Sequence, residues 1–328
     1  MRIALALVCA GLAFAANSPI THETLWLMKR LGAPVVSPDG KWVVVPATEP
    51  AYDDKDQSSD LWLIPSDSSA PPRRLTATRS PESAPAWSPD SRRIAFSARR
   101  EGDDAPQIYL LEITAAGEAQ RFTSLSTGAT LPLWRPDGKA ILFNSSVYPG
   151  AADDEANRRV AAERRSRKYN ARVYQSFPIR YWDKWLDDRQ THLFVQALGD
   201  SKARDLLAGT KFVAGPGFAG TQTDSGEEIR AAWSPDGQSV VFAASTDRNA
   251  AAYAFTSSHL FLAPAAGGEP RQITTGEDSY SAPKFSPDGT SLVCAHSRRS
   301  ANVYSLTRIA RFAWPNPGER TLLTATLD

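Results

Sequence analysis

The chain has 328 residues, 42% of them hydrophobic, enough for a packed core and long for one domain unless that domain is a large all-β unit. Lysine plus arginine (37) almost balances aspartate plus glutamate (36), which argues against nucleic acid or an acidic surface as partner. Its 24 prolines and 9 tryptophans suit many short strands and tight turns better than long helices.

The first residues read as a secretory leader. Arg2 supplies the positive start, residues 3–15 are an apolar run too short to span a bilayer, and Ala13-Phe14-Ala15 is a small-residue cleavage site. Residues 1–15 are therefore expected to be a signal peptide, the mature chain to begin at Ala16, and the protein to be periplasmic or secreted. A lipoprotein version through Cys9 is disfavoured by Val8, which stands where such signals want a small residue. After cleavage only Cys294 remains, so no intrachain disulfide is expected. No later stretch is long and apolar enough for a membrane helix, so no membrane partner is expected after cleavage.

Residues 16–328 are read as one repeat-built unit. Five turn motifs recur: Ser37-Pro38-Asp39-Gly40, Ser88-Pro89-Asp90-Ser91, Arg135-Pro136-Asp137-Gly138, Ser234-Pro235-Asp236-Gly237 and Ser286-Pro287-Asp288-Gly289. Proline presets φ for a type I turn, aspartate suits the next position, and glycine takes the left-handed conformation that lets a hairpin resume. Ser91 replaces that glycine, so the second turn is expected to be strained or differently shaped. Two residues before each proline stand Val36, Trp87, Trp134, Trp233 and Phe285. Five and seven after it stand Val43 and Val45, Ile94 and Phe96, Ile141 and Phe143, Val240 and Phe242, Leu292 and Cys294, the period of a strand with one buried face. Cys294 thus reads as a small core residue.

A second apolar strand follows as Leu61-Trp62-Leu63-Ile64, Ile108-Tyr109-Leu110-Leu111, Leu193-Phe194-Val195 and Leu260-Phe261-Leu262, with a weaker version at Val303-Tyr304-Ser305-Leu306. Three units then close on Arg74-Leu75-Thr76, Arg121-Phe122-Thr123 and Gln272-Ile273-Thr274. Four strands in about 50 residues with an aromatic at a fixed turn offset predict an all-β fold, a β-propeller of four-stranded blades. About five to six blades are expected, the set incomplete.

Successive turn prolines are 51, 47, 99 and 52 residues apart. In the long interval the first hairpin is present through Phe143 and the next strand begins only at Leu193, so an insertion over 149–190 is predicted within the third blade. Residues 153–172 predict a helix with Arg158, Arg159, Arg164, Arg165, Arg167, Lys168 and Arg172 on a cationic face, either solvated or a lid or docking arm for an acidic group. After it, Val173-Tyr174 and Phe177-Pro178-Ile179-Arg180-Tyr181-Trp182-Asp183-Lys184-Trp185 predict a strand or turn packed back on the propeller.

Catalytic patterns are missing. No G-x-S-x-G nucleophile elbow occurs, and Gly220-Thr221-Gln222-Thr223-Asp224-Ser225-Gly226 has the wrong spacing and reads as a loop. His192 and His259 hold equivalent places before a core strand, His22 lies near a helix start, and His296 just past a strand. None pairs at metal-ligand spacing, so no metal or cofactor is expected unless loops across the central channel build a site. Glu227-Glu228 reads as loop charge or as an anchor for the free amino terminus of a peptide. With Tyr181, Trp182 and Trp185 it completes the candidates for substrate contact; no catalytic residue is proposed.

The opening Thr21-His22-Glu23-Thr24-Leu25-Trp26-Leu27-Met28-Lys29-Arg30-Leu31, followed by Val36-Ser37-Pro38-Asp39-Gly40, resembles the start of secreted prolyl-oligopeptidase-family serine peptidases. The dipeptidyl-peptidase and acylaminoacyl-peptidase type with an N-terminal propeller is the nearest. Arg180-Tyr181-Trp182-Asp183-Lys184-Trp185 and Thr191-His192-Leu193-Phe194-Val195 resemble that group's R-H-W-D-x-W…H-L-F-V stretch, with Tyr181 in place of histidine. The turn motifs alone are shared with TolB-like propellers. The resemblance implies a propeller that gates or selects short peptides for an α/β-hydrolase domain carrying the Ser-Asp-His triad, none of whose residues is found here. The chain alone is then expected to be inactive, with its last blade unfinished and an open blade edge prone to self-association. The alternative is a TolB-like periplasmic protein-binding scaffold.

Overall fold

Alternating apolar residues bounded by proline-aspartate turns become antiparallel strands wherever both neighbours supply a partner. The protein, described here from a computed structural model, is defined over residues 19–53, 56–78, 80–114, 117–169, 171–174, 177–300 and 305–326. The leader, Cys9, Ala16, Val303 and Tyr304 lie outside these residues.

Five successive antiparallel sheets follow one another along the chain, each an up-and-down meander. The first pairs Arg30–Leu31 and Val35–Val36 with Trp42–Glu49, then Ser58–Pro65 and Arg73–Arg74. The second runs Glu82–Trp87, Arg93–Ala98, Gln107–Glu112, Gln120–Arg121. The third runs Thr130–Trp134, Ala140–Val147, Gln190–Ala197, Arg204–Asp205. The fourth runs Ala231–Trp233, Ser239–Ala244, His259–Pro264, Arg271–Gln272, and the fifth Ser279–Phe285, Ser291–Ser297, Arg308–Ala313, Thr321–Leu322. This is a β-propeller.

The third strand of the fifth sheet corrects the expected one. Residues 305–307 are irregular, and Arg308–Ala313 pairs with Ser291–Ser297 instead. Ala310 and Phe312 point into the core while Arg311 is exposed, so two arginines hide the alternation. With Thr321–Leu322 added, the fifth sheet has its four strands and is not an unfinished blade. His296 likewise lies inside a strand rather than past one.

Each turn motif is held in the same way. The aspartate carboxylate accepts from the motif serine in four turns, Ser37, Ser88, Ser234 and Ser286, and from the Arg135 Nε in the third. It also accepts the backbone N–H two residues on, at Lys41, Arg92, Lys139, Gln238 and Thr290. These bonds hold all five carboxyls below the usual aspartate range, Asp288 at about 2. Ser91 adopts φ +60°, beside +72°, +69°, +67° and +71° for the four glycines. The second turn therefore keeps the common shape, at the cost of a left-handed non-glycine, and its hydroxyl accepts from the Asp39 N–H at 3.0 Å.

The core is divided among the junctions between sheets. One buried cluster joins sheets one and two, one joins two and three, one three and four, and one four and five. Indole donors stitch the first three: Trp87 Nε1 to the Val35 carbonyl at 2.9 Å, Trp134 to Ala86 at 3.1 Å, Trp233 to Leu133 at 3.2 Å. Phe285 fills the fourth slot by stacking edge-on against Trp314, 4.9 Å between centroids.

Candidate functional site

In a meander, connections alternate between the two ends of the strands. The Ser-Pro-Asp-Gly turns join first to second strands at one rim. The second-to-third connections and the links between sheets therefore gather at the other rim. There lie the insertion, the link from the third to the fourth sheet, and the connection after Ser239–Ala244.

The insertion helix is Asp154–Ser166, capped by Asp153, whose carboxylate accepts from the Ala156 N–H at 2.8 Å. It ends six residues earlier than expected, its Arg167 cap being extended. The cationic face is also narrower than expected, because Arg164 turns inward. Its guanidinium grips both Asp188 oxygens at 2.7 and 2.6 Å and lies over the Tyr148 ring, and that grip holds the Asp188 carboxyl low. Buried Asn157 fastens the helix by accepting from the Tyr148 N–H at 2.8 Å. Arg158 pairs with Asp154 and Arg167 with Glu163 along the exposed face.

Beyond the helix, Arg180–Tyr181 and Lys184–Trp185 form a two-stranded hairpin. Its tip residue Trp182 has φ +50° and is 76% exposed; Trp185 is 55% exposed. The aromatic stretch is thus not packed back through those rings, as expected, but presents them outward. Tyr181 is half-buried, and Tyr174 anchors the segment by donating to the Leu186 carbonyl at 2.9 Å.

A second hairpin stands beside it. Residues 220–228, expected as a loop, pair as Thr221–Thr223 with Gly226–Glu228, which puts Glu227 and Glu228 on a strand. Lys184 Nζ reaches from the first hairpin to the Asp224 carbonyl at the tip of the second, at 2.6 Å. Glu227 is held from three sides: Arg248 Nη1 donates to Oε2 at 2.8 Å, the Thr191 N–H to Oε1 at 3.2 Å, and the Thr191 hydroxyl to its carbonyl. Glu228 is less engaged, with Arg230 at 3.7 Å and the Thr223 hydroxyl at 3.5 Å.

Two glycines fix how closely these pieces approach. A Cβ on Gly217 would stand 2.2 Å from the Thr246 carbonyl oxygen, and one on Gly220 2.4 Å from that of Glu228. The backbone bridge between Ala219 and Ser245 closes the same corner. The hairpin pairing, Arg248 and these glycines are what sequence reasoning missed. The one available signal was the glycine at each end of the 220–226 stretch.

One buried histidine–carboxylate pair lies in the third sheet. His192 Nδ1 lies 2.7 Å from Asp205 Oδ2, the geometry of a base and its orienter. The ring is buried against Phe218, and Nε2 has no hydrogen-bond partner among the described residues. Among those residues no group of three or more His, Cys, Asp or Glu side chains could hold a metal ion.

Residues 27–165 match the family described as the TolB beta propeller domain. Two curated relatives are both named dipeptidyl-peptidase 5. That of Porphyromonas gingivalis is 27% identical over 322 residues, covering 94% of this chain and 43% of its own length. That of Porphyromonas endodontalis is 28% identical over 297 residues, covering 89% of this chain and 40% of its own. The chain therefore spans less than half the length of the curated relatives it matches. An acylaminoacyl peptidase structure from Pyrococcus horikoshii has a TM-score of 0.60 at 15% identity, over 93% of this chain and 41% of that one, a likeness of fold.

Proposed function

We propose that this β-propeller, which is related to dipeptidyl-peptidases and acylaminoacyl-peptidases of the prolyl-oligopeptidase family, is the non-catalytic, substrate-selecting region of an exported serine peptidase. An α/β-hydrolase region would supply the triad. The observation that supports this reading is the pair of adjacent hairpins: Lys184 of the first reaches the Asp224 tip of the second, the first exposes Trp182 and Trp185, and on the second Glu228 is less engaged than Glu227. Glu227 is consumed by Arg248 and shapes the corner. Glu228 is then the residue to receive the α-amino group of a short peptide, a charge-assisted contact, while Trp182, Trp185 and Tyr181 offer ring faces to its first side chains. Export rests on the leader-like residues 1–15.

The reading is tested with the chain as it is. Tryptophan fluorescence is followed while short peptides with free and with acetylated amino termini are titrated in. The free amine should bind about tenfold more tightly, a difference of about 1.4 kcal/mol, and Glu228→Gln should remove that difference. The chain should leave chromogenic dipeptidyl substrates intact. Hydrolysis by the chain itself, or equal binding of both peptides, would sink the proposal. The match of residues 27–165 favours a second reading, a TolB-like protein-binding scaffold, which expects equal and negligible binding of the two.

A further inference from the structure

Positive charge on the insertion is compensated unevenly. Arg158, Arg164, Arg167 and Arg189 each pair with a carboxylate of the insertion itself. Arg172, Arg180 and Lys184, at the first hairpin, do not. Each is held instead by a main-chain carbonyl: Arg172 Nη1 donates to that of Trp185 at 3.4 Å, Arg180 Nε to that of Trp182, and Lys184 Nζ to that of Asp224 at 2.6 Å. Among the described residues none of the three forms an ion pair, although Asp183 and Asp224 stand beside them. A neutral carbonyl positions a cation without cancelling its charge. The hairpin therefore keeps a positive end next to its exposed indoles, and Arg180 lies over the Trp185 ring, 6.0 Å from its centroid.

The second hairpin carries the opposite charge and aims it the same way. Its register sets Glu228 opposite Thr221 and Gly226 opposite Thr223. The Glu228 carboxylate leans toward the tip, with Oε1 3.5 Å from the Thr223 hydroxyl, and that hydroxyl accepts the Ser225 N–H at 3.2 Å. Lys184 sits on the carbonyl of the tip residue between them, Asp224. From Glu228 to the tip is a short strand and the turn. At ~3.3 Å per strand residue, carboxylate and ammonium stand on the order of 10 Å apart. An extended peptide spans at most ~3.6 Å per residue, so the gap is that of about three residues.

Resting on the reading of Glu228 as the receiver of a peptide's amino group, we propose the class of peptide this site selects. It is a short peptide with a carboxylate about three residues from that amino group, received by Lys184 with the Arg180 guanidinium beside it. The carboxylate is either the free carboxyl terminus of a tripeptide or the side chain of an aspartate or glutamate third in a longer peptide. Both present the same charge to the same ammonium, a charge-assisted contact.

Binding to the chain is followed by tryptophan fluorescence with two pairs of peptides, all with free amino termini. The first pair is trialanine and its carboxyl-terminal amide. The second is a longer amide-capped peptide with glutamate or glutamine third. In at least one pair the carboxylate member should bind about fivefold more tightly, and the pair that shows the gain identifies the source. The gain should shrink as salt is raised. Lys184→Gln should abolish it, and Lys184→Arg, which restores the charge, should keep it. Equal affinity within both pairs, with the preference for a free over an acetylated amino terminus intact, would overturn this proposal and leave the reading of Glu228 standing. Loss of the amino-terminal preference in the wild type would sink both. A gain that survives Lys184→Gln would also overturn the assignment.

Discussion

Trp87, Trp134 and Trp233 each fill the space between two sheets and carry the donor that satisfies a carbonyl of the sheet before. Phenylalanine keeps the first role and loses the second. Trp134→Phe should therefore destabilise the chain by about 1–2 kcal/mol, leaving the Ala86 carbonyl without its partner. A urea denaturation midpoint unchanged from wild type would refute this. The slot was legible in the sequence as an aromatic two residues before each turn proline. Its partner was not, because that carbonyl belongs to the backbone of another repeat and leaves no residue-type signature. Cys294 was legible for the opposite reason. Its place in the alternation reads as core, and burial does push its thiol up to about 12.

Among elements, the turns were read most fully, because proline, aspartate and glycine each have a local reason to be there. The threonines that close three units have a reason that only pairing reveals. The hydroxyls of Thr76, Thr123 and Thr274 accept the N–H of Leu61, Ile108 and Leu260, each 2.9 Å away. Thr324 does the same for Ile309 at 2.9 Å. That fourth case was hidden because the strand it serves was sought too early in the chain. The second hairpin of the candidate site was read as a loop since a three-residue strand rich in threonine, glycine and glutamate shows no apolar alternation. The turns also set a pH dependence. Their aspartates are lowered in the folded chain, so they contribute stability that is fully present above the unfolded value of 3.8 and is lost as pH falls, for Asp288 through about 2. The turn carboxylates should make the thermal midpoint fall progressively as pH drops below about 5, and Asp288→Asn should flatten that fall. A midpoint indifferent to acid would remove the turn carboxylates from the account.

At the scale of the whole molecule, stability is distributed as in a short array. Each sheet is held by its own ladder and by the clusters it shares with its neighbours, so the second, third and fourth sheets are covered on both faces and the first and fifth on one. The third and fourth share the largest aromatic group, in which Phe212 meets Phe218, Phe242 and Phe261 at 5.0, 5.7 and 4.6 Å between ring centroids. Opening should therefore begin at the ends. Hydrogen exchange in dilute solution should be slowest in Ala140–Val147, Gln190–Ala197 and Ser239–Ala244. It should be faster in Trp42–Glu49 and Arg308–Ala313, although these are equally long or equally paired. The sign of the gradient separates an open array from a closed ring, in which all five sheets would share two covered faces and exchange at similar rates. Uniform protection across the five sheets would refute the gradient.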